Sequence, residues 1–318
     1  MTSQTTPLRR RRLARRTVLS GLSAMTAAAL TACMGGAPER RRIRIATGSR
    51  TAVYYAVGTA LAGIVEQELP ETDAEAMVTA ASAENVDLIV NNEAEIGFTQ
   101  ADILVTGATP DPRIAALARV YDDLLHLVVH ADSPIRTLDQ LRGRTVSVGA
   151  DGSGTGITVG RLLDVAGLGR PGLVTQQKLS LDDSLQALTA GEIDAFFFSG
   201  GLPVSGIKQL AGKRIVDLSK WVADMRARWS DVYVVRDVPA SAYQLPPVST
   251  IAVPNFLVVP RQMADELAHD LARMLLERRD VLARAHPAAE NLDIRSAVAT
   301  LPVPLHPGAA EYFRSVKP

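Results

Sequence analysis

Apolar positions along the chain switch between two periods. Ile43, Ile45 and the residues between them alternate as a strand over residues 43–47. After the polar loop 48–51 the spacing lengthens, and Val53, Val57, Ala60, Leu61, Ile64 and Val65 share one face of a helix over 52–69. The switch recurs with a strand at 76–80, a helix at 83–91 and a strand at 96–99. From Gly143 it begins again: strand 145–149, loop 150–156, a helix through Val159, Leu162, Leu163 and Val165, strand 173–179, helix 183–190 and the apolar strand 193–198. Strands and helices in this alternation imply an α/β architecture, a mainly parallel sheet covered by helices.

The two halves share an order of elements, and residues 84–98 echo 183–197 in type: helix, acidic turn, strand. Two lobes of related topology are expected. Between them, residues 117–143 read as a pair of apolar strands and a short amphipathic helix, with 124–129 crossing between lobes. A return crossing is expected at 249–259, after Pro246-Pro247, followed by helices at 264–285 and near 309–313 that return to the first lobe. The first lobe then comprises 43–125 and 250–318, the second 126–249. The two crossings form a hinge.

The N-terminal region adds a destination. Six arginines (Arg9, Arg10, Arg11, Arg12, Arg15 and Arg16) and no acid precede a mildly apolar segment too short to span a bilayer, the order of an export signal. Leu30-Thr31-Ala32-Cys33 resembles the lipobox of bacterial lipoproteins, which implies a signal peptide over 1–32 and a lipid on Cys33, the single cysteine of 318 residues. Arg15-Arg16 with the following Thr-Val-Leu resembles the twin-arginine export motif, with the Sec route as the alternative. The competing reading is a basic tail with a buried free thiol. Residues 33–42 read as a tether. Without 1–32, 28 Lys and Arg face 34 Asp and Glu, a net charge near −6, which leaves no nucleic-acid footprint. A lipidated Cys33 also leaves nothing to form a disulfide, so packing alone must hold the fold.

Five stretches, "IATGSRTAVYYAVGTALAGIV", "SAENVDLIVNNEAEIGFTQAD", "VYDDLLHLVVHADSPIRTLDQLRGRTVSVGADGSGTG", "AGEIDAFFFSGGLP" and "PLHPGAAEYF", resemble in order and spacing the TAXI receptors, the solute-binding proteins of TRAP transporters. The resemblance implies a two-lobed periplasmic-binding-protein fold of the second type. It closes on a small organic anion, a glutamate-like amino acid or another carboxylate, and passes it to a membrane permease. A monomer without cofactor or metal is expected.

Candidate ligand contacts follow the strand-to-helix turns. Ser153, Gly154, Thr155 and Gly156 open a helix directly after a strand, so free N–H groups and a positive dipole end suit a carboxylate. The alternative for this loop is a simple N-cap. Gly48, Ser49, Arg50, Thr51, Tyr54 and Tyr55 occupy the matching turn of the first lobe, where the resembling family carries more glycine. Arg50 either forks onto a carboxylate or is a solvated loop residue, and one of the two tyrosines should pack beneath the helix while the other reaches the cleft. Ser82 and Asn85 read as helix caps or cleft residues. Gln100 stands at the carboxyl edge where parallel sheets bind ligands, as do Ser199 and Gly200 of the second lobe. Phe198 floors the pocket or belongs to the core, Tyr121 has the same two readings, and Asp102 reads as a cap.

Catalysis has little support in the sequence. The five histidines are scattered, and His126 and His130 lie four apart on an expected strand, where that spacing does not make the metal pair it would make on a helix. The centre of residues 152–156 is glycine, so no nucleophile elbow exists there, and no P-loop lysine follows. Transport is the leading function. The alternatives are a receptor feeding a membrane kinase and an enzyme on the same scaffold.

Overall fold

Each half opens with the same five elements. In the computed structural model, which describes residues 40–105 and 110–316, these are β1 (Arg41–Ala46), α1 (Val53–Glu68), β2 (Thr72–Met77), α2 (Ser82–Val90) and β3 (Ile96–Gln100). Their counterparts, after the long strand β4 (Ile114–His130), are β5 (Thr145–Ser147), α3 (Gly154–Val165), β6 (Thr175–Gln177), α4 (Leu181–Ala190) and β7 (Ala195–Gly200). There follow α5 (Ser205–Gln209), β8 (Lys213–Ile215), α6 (Val222–Arg228), β9 (Val234–Val238), α7 (Ala240–Tyr243), β10 (Val248–Pro260), α8 (Asp265–Glu277), α9 (Arg279–Ala285), α10 (Ile294–Ala297) and α11 (Pro307–Ser315). The expected signal segment, Cys33 and most of the tether lie outside the described residues; Arg41 and Arg42, assigned to the tether, already belong to β1.

One sheet runs in the order β2-β1-β3-β10-β4-β7-β5-β6, with β8 on β4 and β9 on β10. β2, β1 and β3 are parallel, as are β6, β5 and β7, while β10 and β4 run antiparallel to each other and to their outer neighbours. The expected pair of strands at 117–143 is therefore the single 17-residue β4. Its first part lies against the C-terminal part of β10, and its last part against β7 and β8. β4 and β10 are thus the two segments shared by both lobes. No helix among the described residues is long and apolar enough to cross a membrane.

Packing explains the departures from the expected boundaries. The strand expected at 76–80 runs instead over Thr72–Met77, because Pro70 cannot continue α1 and the chain pairs at once with β1 from Arg41 to Ala46. The helix expected over 264–285 is divided between α8 and α9 at Arg278.

α1 buries Val53, Tyr54, Val57, Leu61, Ile64 and Val65 against the sheet, each of the larger aliphatic side chains contributing about 1.5–3 kcal/mol. A Cβ on Gly58 would stand 2.5 Å from Thr47 Cγ2, so glycine there lets the helix lie close to the strands. On this face the first lobe has its own core, closed by α8 and α11, and the second lobe has another beneath α4, α5 and α7. On the opposite face a single core runs from Ala46 and Ile89 through Phe256 to Phe197 and Tyr233, continuous across both lobes. From Arg41 onward the chain is accordingly one compact unit.

Candidate functional site

A cavity of about 260 Å³ lies between the lobes, and four helices begin at its wall: α1 at Ala52 and Val53, α2 at Ala81 and Ser82, α3 at Ser153 and Gly154, α4 at Ser180 and Leu181. Local sequence decides what those helix ends offer. α3 and α4 are capped by their own serines, since Ser153 accepts from the Gly156 N–H and Ser180 from that of Asp183. α1 and α2 follow alanines and have no side-chain cap, and their first residues line the cavity, although the Ala83 N–H of α2 is taken by the Gly152 carbonyl. Ala81 reaches this position with φ at 81°, a conformation costing an alanine roughly 1–3 kcal/mol that recurs where a site constrains the chain.

A polar row across three strands lies at and beneath the cavity base, with Gln100, Tyr121 and Asp123 lining the cavity and Asn255 behind them. Asn255 on β10 is in register with Gln100 on β3 at one side and Tyr121 on β4 at the other, so the three side chains share a face. Asp123 stands two residues beyond Tyr121 on the same face. Tyr54 donates to Asn255 Oδ1 and lies 3.3 Å from the Ser82 hydroxyl. Gln100 Nε2 donates to Asp123 Oδ2 at 3.0 Å and to Ser199 Oγ at 2.6 Å, which orients its amide. Three cavity-lining oxygens remain without a partner: Gln100 Oε1, Asp123 Oδ1 and the Tyr121 hydroxyl. The Asn255 amide nitrogen, which has no other partner, lies beside the Asp123 carboxylate and favours its charged form.

Asp123 is the one formally charged side chain among the described residues lining the cavity. It is 4% exposed, and burial lifts its pKa from 3.8 to about 7 despite help from the Asn255 and Gln100 amides, with Asp122 and Asp102 adding to the rise. Burial and the Asp123 charge also push the Tyr54 and Tyr121 hydroxyls well above the ordinary phenol value, so both stay neutral. Asp122, one residue away, points to the other face of β4 and pairs with Arg119 and Arg236. His126 sits behind the cavity between Tyr243 and the Phe198 carbonyl, and burial lowers its pKa to about 4. It is neutral at physiological pH.

Of the residues singled out in the sequence, Gly48, Ser49, Tyr54, Ser82, Gln100, Tyr121, Ser153, Gly154, Thr155, Phe198, Ser199 and Gly200 line the cavity. Arg50, Thr51, Tyr55, Asn85 and Gly156 do not. The Arg50 guanidinium lies over the Tyr55 ring at 5.2 Å and donates to its hydroxyl at 2.7 Å, on the outer surface. Thr51 reaches Asp182 across the rim at 3.2 Å. Asn85 caps nothing: its amide donates to the carbonyls of Thr47 and Phe98 and accepts from Thr79, tying together the ends of β1 and β3. Sequence reasoning passed over Asp123 and Asn255. The available signal for the first was two adjacent acids inside the largely apolar, almost wholly buried β4, where an unpaired charge is costly.

The lobes touch around this cavity. Asp102, expected to be a cap, is instead a fully buried carboxylate that receives Thr158 at 2.7 Å and Tyr233 at 3.0 Å, with Arg161 3.6 Å away. Burial raises its pKa, while Thr158, Arg161 and Tyr233 oppose the rise. The Ala83 N–H donates to the Gly152 carbonyl at 3.2 Å, and Gln100 meets Ser199. These contacts describe a closed cleft. Among the described residues no group of three or more His, Cys, Asp or Glu is placed to hold a metal.

A model of the NMT1-like family matches residues 45–316. The chain belongs to the NMT1-like family. Solved structures similar to this family member include the periplasmic aliphatic sulphonate binding protein SsuA from Escherichia coli, with a TM-score of 0.50 and 17% identity over 86% of this chain and 83% of that one. A Xanthomonas citri protein solved with ATP aligns with a TM-score of 0.52 and 14% identity, covering 86% of this chain and 94% of its own. A Bordetella bronchiseptica RB50 protein aligns with 0.51 and 16%, covering 88% and 91%. At these identities the likeness shows the fold, the two-lobed arrangement of periplasmic binding proteins, and the NMT1-like chain shares it.

Proposed function

We propose that this NMT1-like protein is an extracytoplasmic solute-binding receptor of the TAXI type. It captures a small carboxylate-bearing solute between its lobes (43–125 with 250–318, and 126–249), is anchored through lipid on Cys33, and delivers the solute to a TRAP-type permease. One observation carries the reading: the N-termini of α1 and α2, without side-chain caps, border a cavity lined by no Lys, Arg or His among the described residues. An anionic group there is held by backbone N–H groups and helix dipoles, each worth about 0.3–1 kcal/mol and more when buried. The hydroxyls of Ser82, Thr155 and Ser199 meet amides and a phenol, not an imidazole, so the cavity presents binding groups without an activated nucleophile. The five sequence stretches that resemble TAXI receptors supply the permease partner, and the lipobox-like segment supplies the anchor.

A thermal-shift screen of the full chain against organic acids and amino acids tests the binding half. A dose-dependent rise in melting temperature with a carboxylate is expected, and no response to any acid counts against it. Lipid labelling of Cys33→Ser tests the anchor, with loss of label expected.

A further inference from the structure

We infer a second binding site, separate from the cleft, in which Arg119 and Arg236 hold a small oxyanion, a phosphate or a carboxylate group. It stands whatever the cleft takes.

A second cavity, of about 340 Å³, lies against β4 from Arg119 to Asp122. Arg236 on β9 walls it from the second lobe, and Asn291 and Ser296, in and after the turn Pro287–Asn291, wall it from the first. Among the described residues it shares only Tyr121 with the lining of the cleft cavity. The two spaces are therefore distinct, and the second also touches both lobes at the shared strand.

Its chemistry is set by two guanidinium groups around one carboxylate. Arg119 Nη2 donates to Asp122 Oδ1, and Arg236 Nε donates to Asp122 Oδ2 at 3.1 Å. Both carboxylate oxygens are used, yet neither arginine makes a two-pronged pair. Arg236 Nη1 turns back to the Val235 carbonyl, while Nε and Nη1 of Arg119 and Nη2 of Arg236 donate to no acceptor among the described residues. One positive charge is left over in the cluster. The other carboxylate of the lining, Asp237, is exposed and receives the Ser249 hydroxyl at 2.6 Å, so water screens it. Clamping β9 onto β4 needs only the Asp122 bonds, and leaves the remaining N–H groups and the space beside them without a task.

An oxyanion supplies what is missing. Guanidinium groups bind phosphate and carboxylate through parallel charge-assisted hydrogen bonds, roughly twice as strong as neutral ones. Arg119 and Asp122 are largely buried, which strengthens the attraction at the inner end, and Arg236 stands exposed at the mouth. The Asn291 side-chain amide adds a donor from the first lobe.

Calorimetry on the full chain tests the site, with sodium phosphate and sodium acetate as probes and sodium chloride holding ionic strength constant. At least one probe is expected to show a binding event with a Kd of about 1 mM or tighter that Arg236→Ala weakens about tenfold or more. Any event that survives the substitution belongs elsewhere, and the probe that binds tighter tells a phosphate ligand from a carboxylate one. If every event survives, or neither probe binds, the site is overturned. The melting temperature of Arg236→Ala should stay near wild type because the side chain is exposed. Should that variant lose cooperative unfolding, Arg236→Gln, which keeps a hydrogen bond to Asp122, is read in its place by the same criterion.

Discussion

Gly154, the first residue of α3, lies so close to Gln100 at the end of β3 that a Cβ on it would fall 1.9 Å from the Gln100 amide oxygen and 2.9 Å from the Ser82 hydroxyl. The contact joins the two lobes, so it belongs to the closed cleft. Gln100 has little room to yield, since Asp123 and Ser199 hold its amide nitrogen. Gly154→Ala is therefore expected to prop the cleft open and weaken solute binding by about tenfold or more, while the melting temperature of the solute-free chain changes little. Calorimetry together with thermal unfolding checks both halves, and wild-type affinity in the variant would mean that the closed geometry accommodates the methyl group.

Asp123 carries a folding penalty of known sign. Its pKa is near 7 in the folded protein and 3.8 ordinarily, so between these values the folded state holds a proton that the unfolded state has released. Stability falls as pH rises from about 4 to about 7, and the loss persists above. Asp123→Asn abolishes this term. Urea unfolding of the solute-free chain should show the variant more stable by roughly 2–4 kcal/mol at pH 8 and by little at pH 4.5. An equal difference at both pH values would trace the effect to packing instead of ionisation.

Affinity should depend on pH with opposite signs for a solute that carries an ammonium group beside its carboxylate and for its desamino counterpart, a plain carboxylate. An ammonium needs Asp123 ionised, so its binding weakens below about pH 7 as the solute-free receptor takes up a proton, approaching tenfold per pH unit. A plain carboxylate meets a neutral Asp123 more readily, so its binding strengthens over the same interval. Titrations at pH 5.5 and 8 with one amino acid and its desamino partner measure the two slopes.

Asp102→Asn should loosen closure. The substitution keeps the shape but removes the negative charge 3.6 Å from the Arg161 guanidinium, which is also held by the Tyr233 hydroxyl and stacked on Trp229. An uncompensated buried cation costs about 3–5 kcal/mol, and the least costly relief is for the lobes to part and hydrate it. Small-angle scattering of the solute-free variant should give a larger radius of gyration than wild type. An unchanged radius with unchanged stability would show that the pair contributes nothing to closure.

Arg50 directly follows Ser49 of the cavity wall, yet its guanidinium is occupied by Tyr55. Arg50→Ala is expected to change solute affinity by less than about threefold, as exposed charges contribute little. A loss beyond tenfold in calorimetry would require the loop 48–51 to reorganise when solute binds.

The sequence by itself determined the elements whose cause is local. Periods of 3.6 and 2 announced α1, α2, α3, α4 and most strands, and the repeated strand-helix order announced two related lobes; the open end expected at α3 is instead capped by Ser153. Tertiary structure alone decided what no local period encodes. Tyr54 and Tyr55 are equivalent by sequence, and only the seating of α1 on the sheet buries the first and leaves the second to Arg50. Asn85 and Asp102 look like caps in isolation, but strand ends in one case and the opposite lobe in the other supply their partners. Gln100, Asp123 and Asn255 become one site through the pairing of β3, β10 and β4, over separations of up to 155 residues. Backbone register between distant strands sets which side chains share a face and a cavity, and that register is a property of the assembled sheet, absent from any one strand.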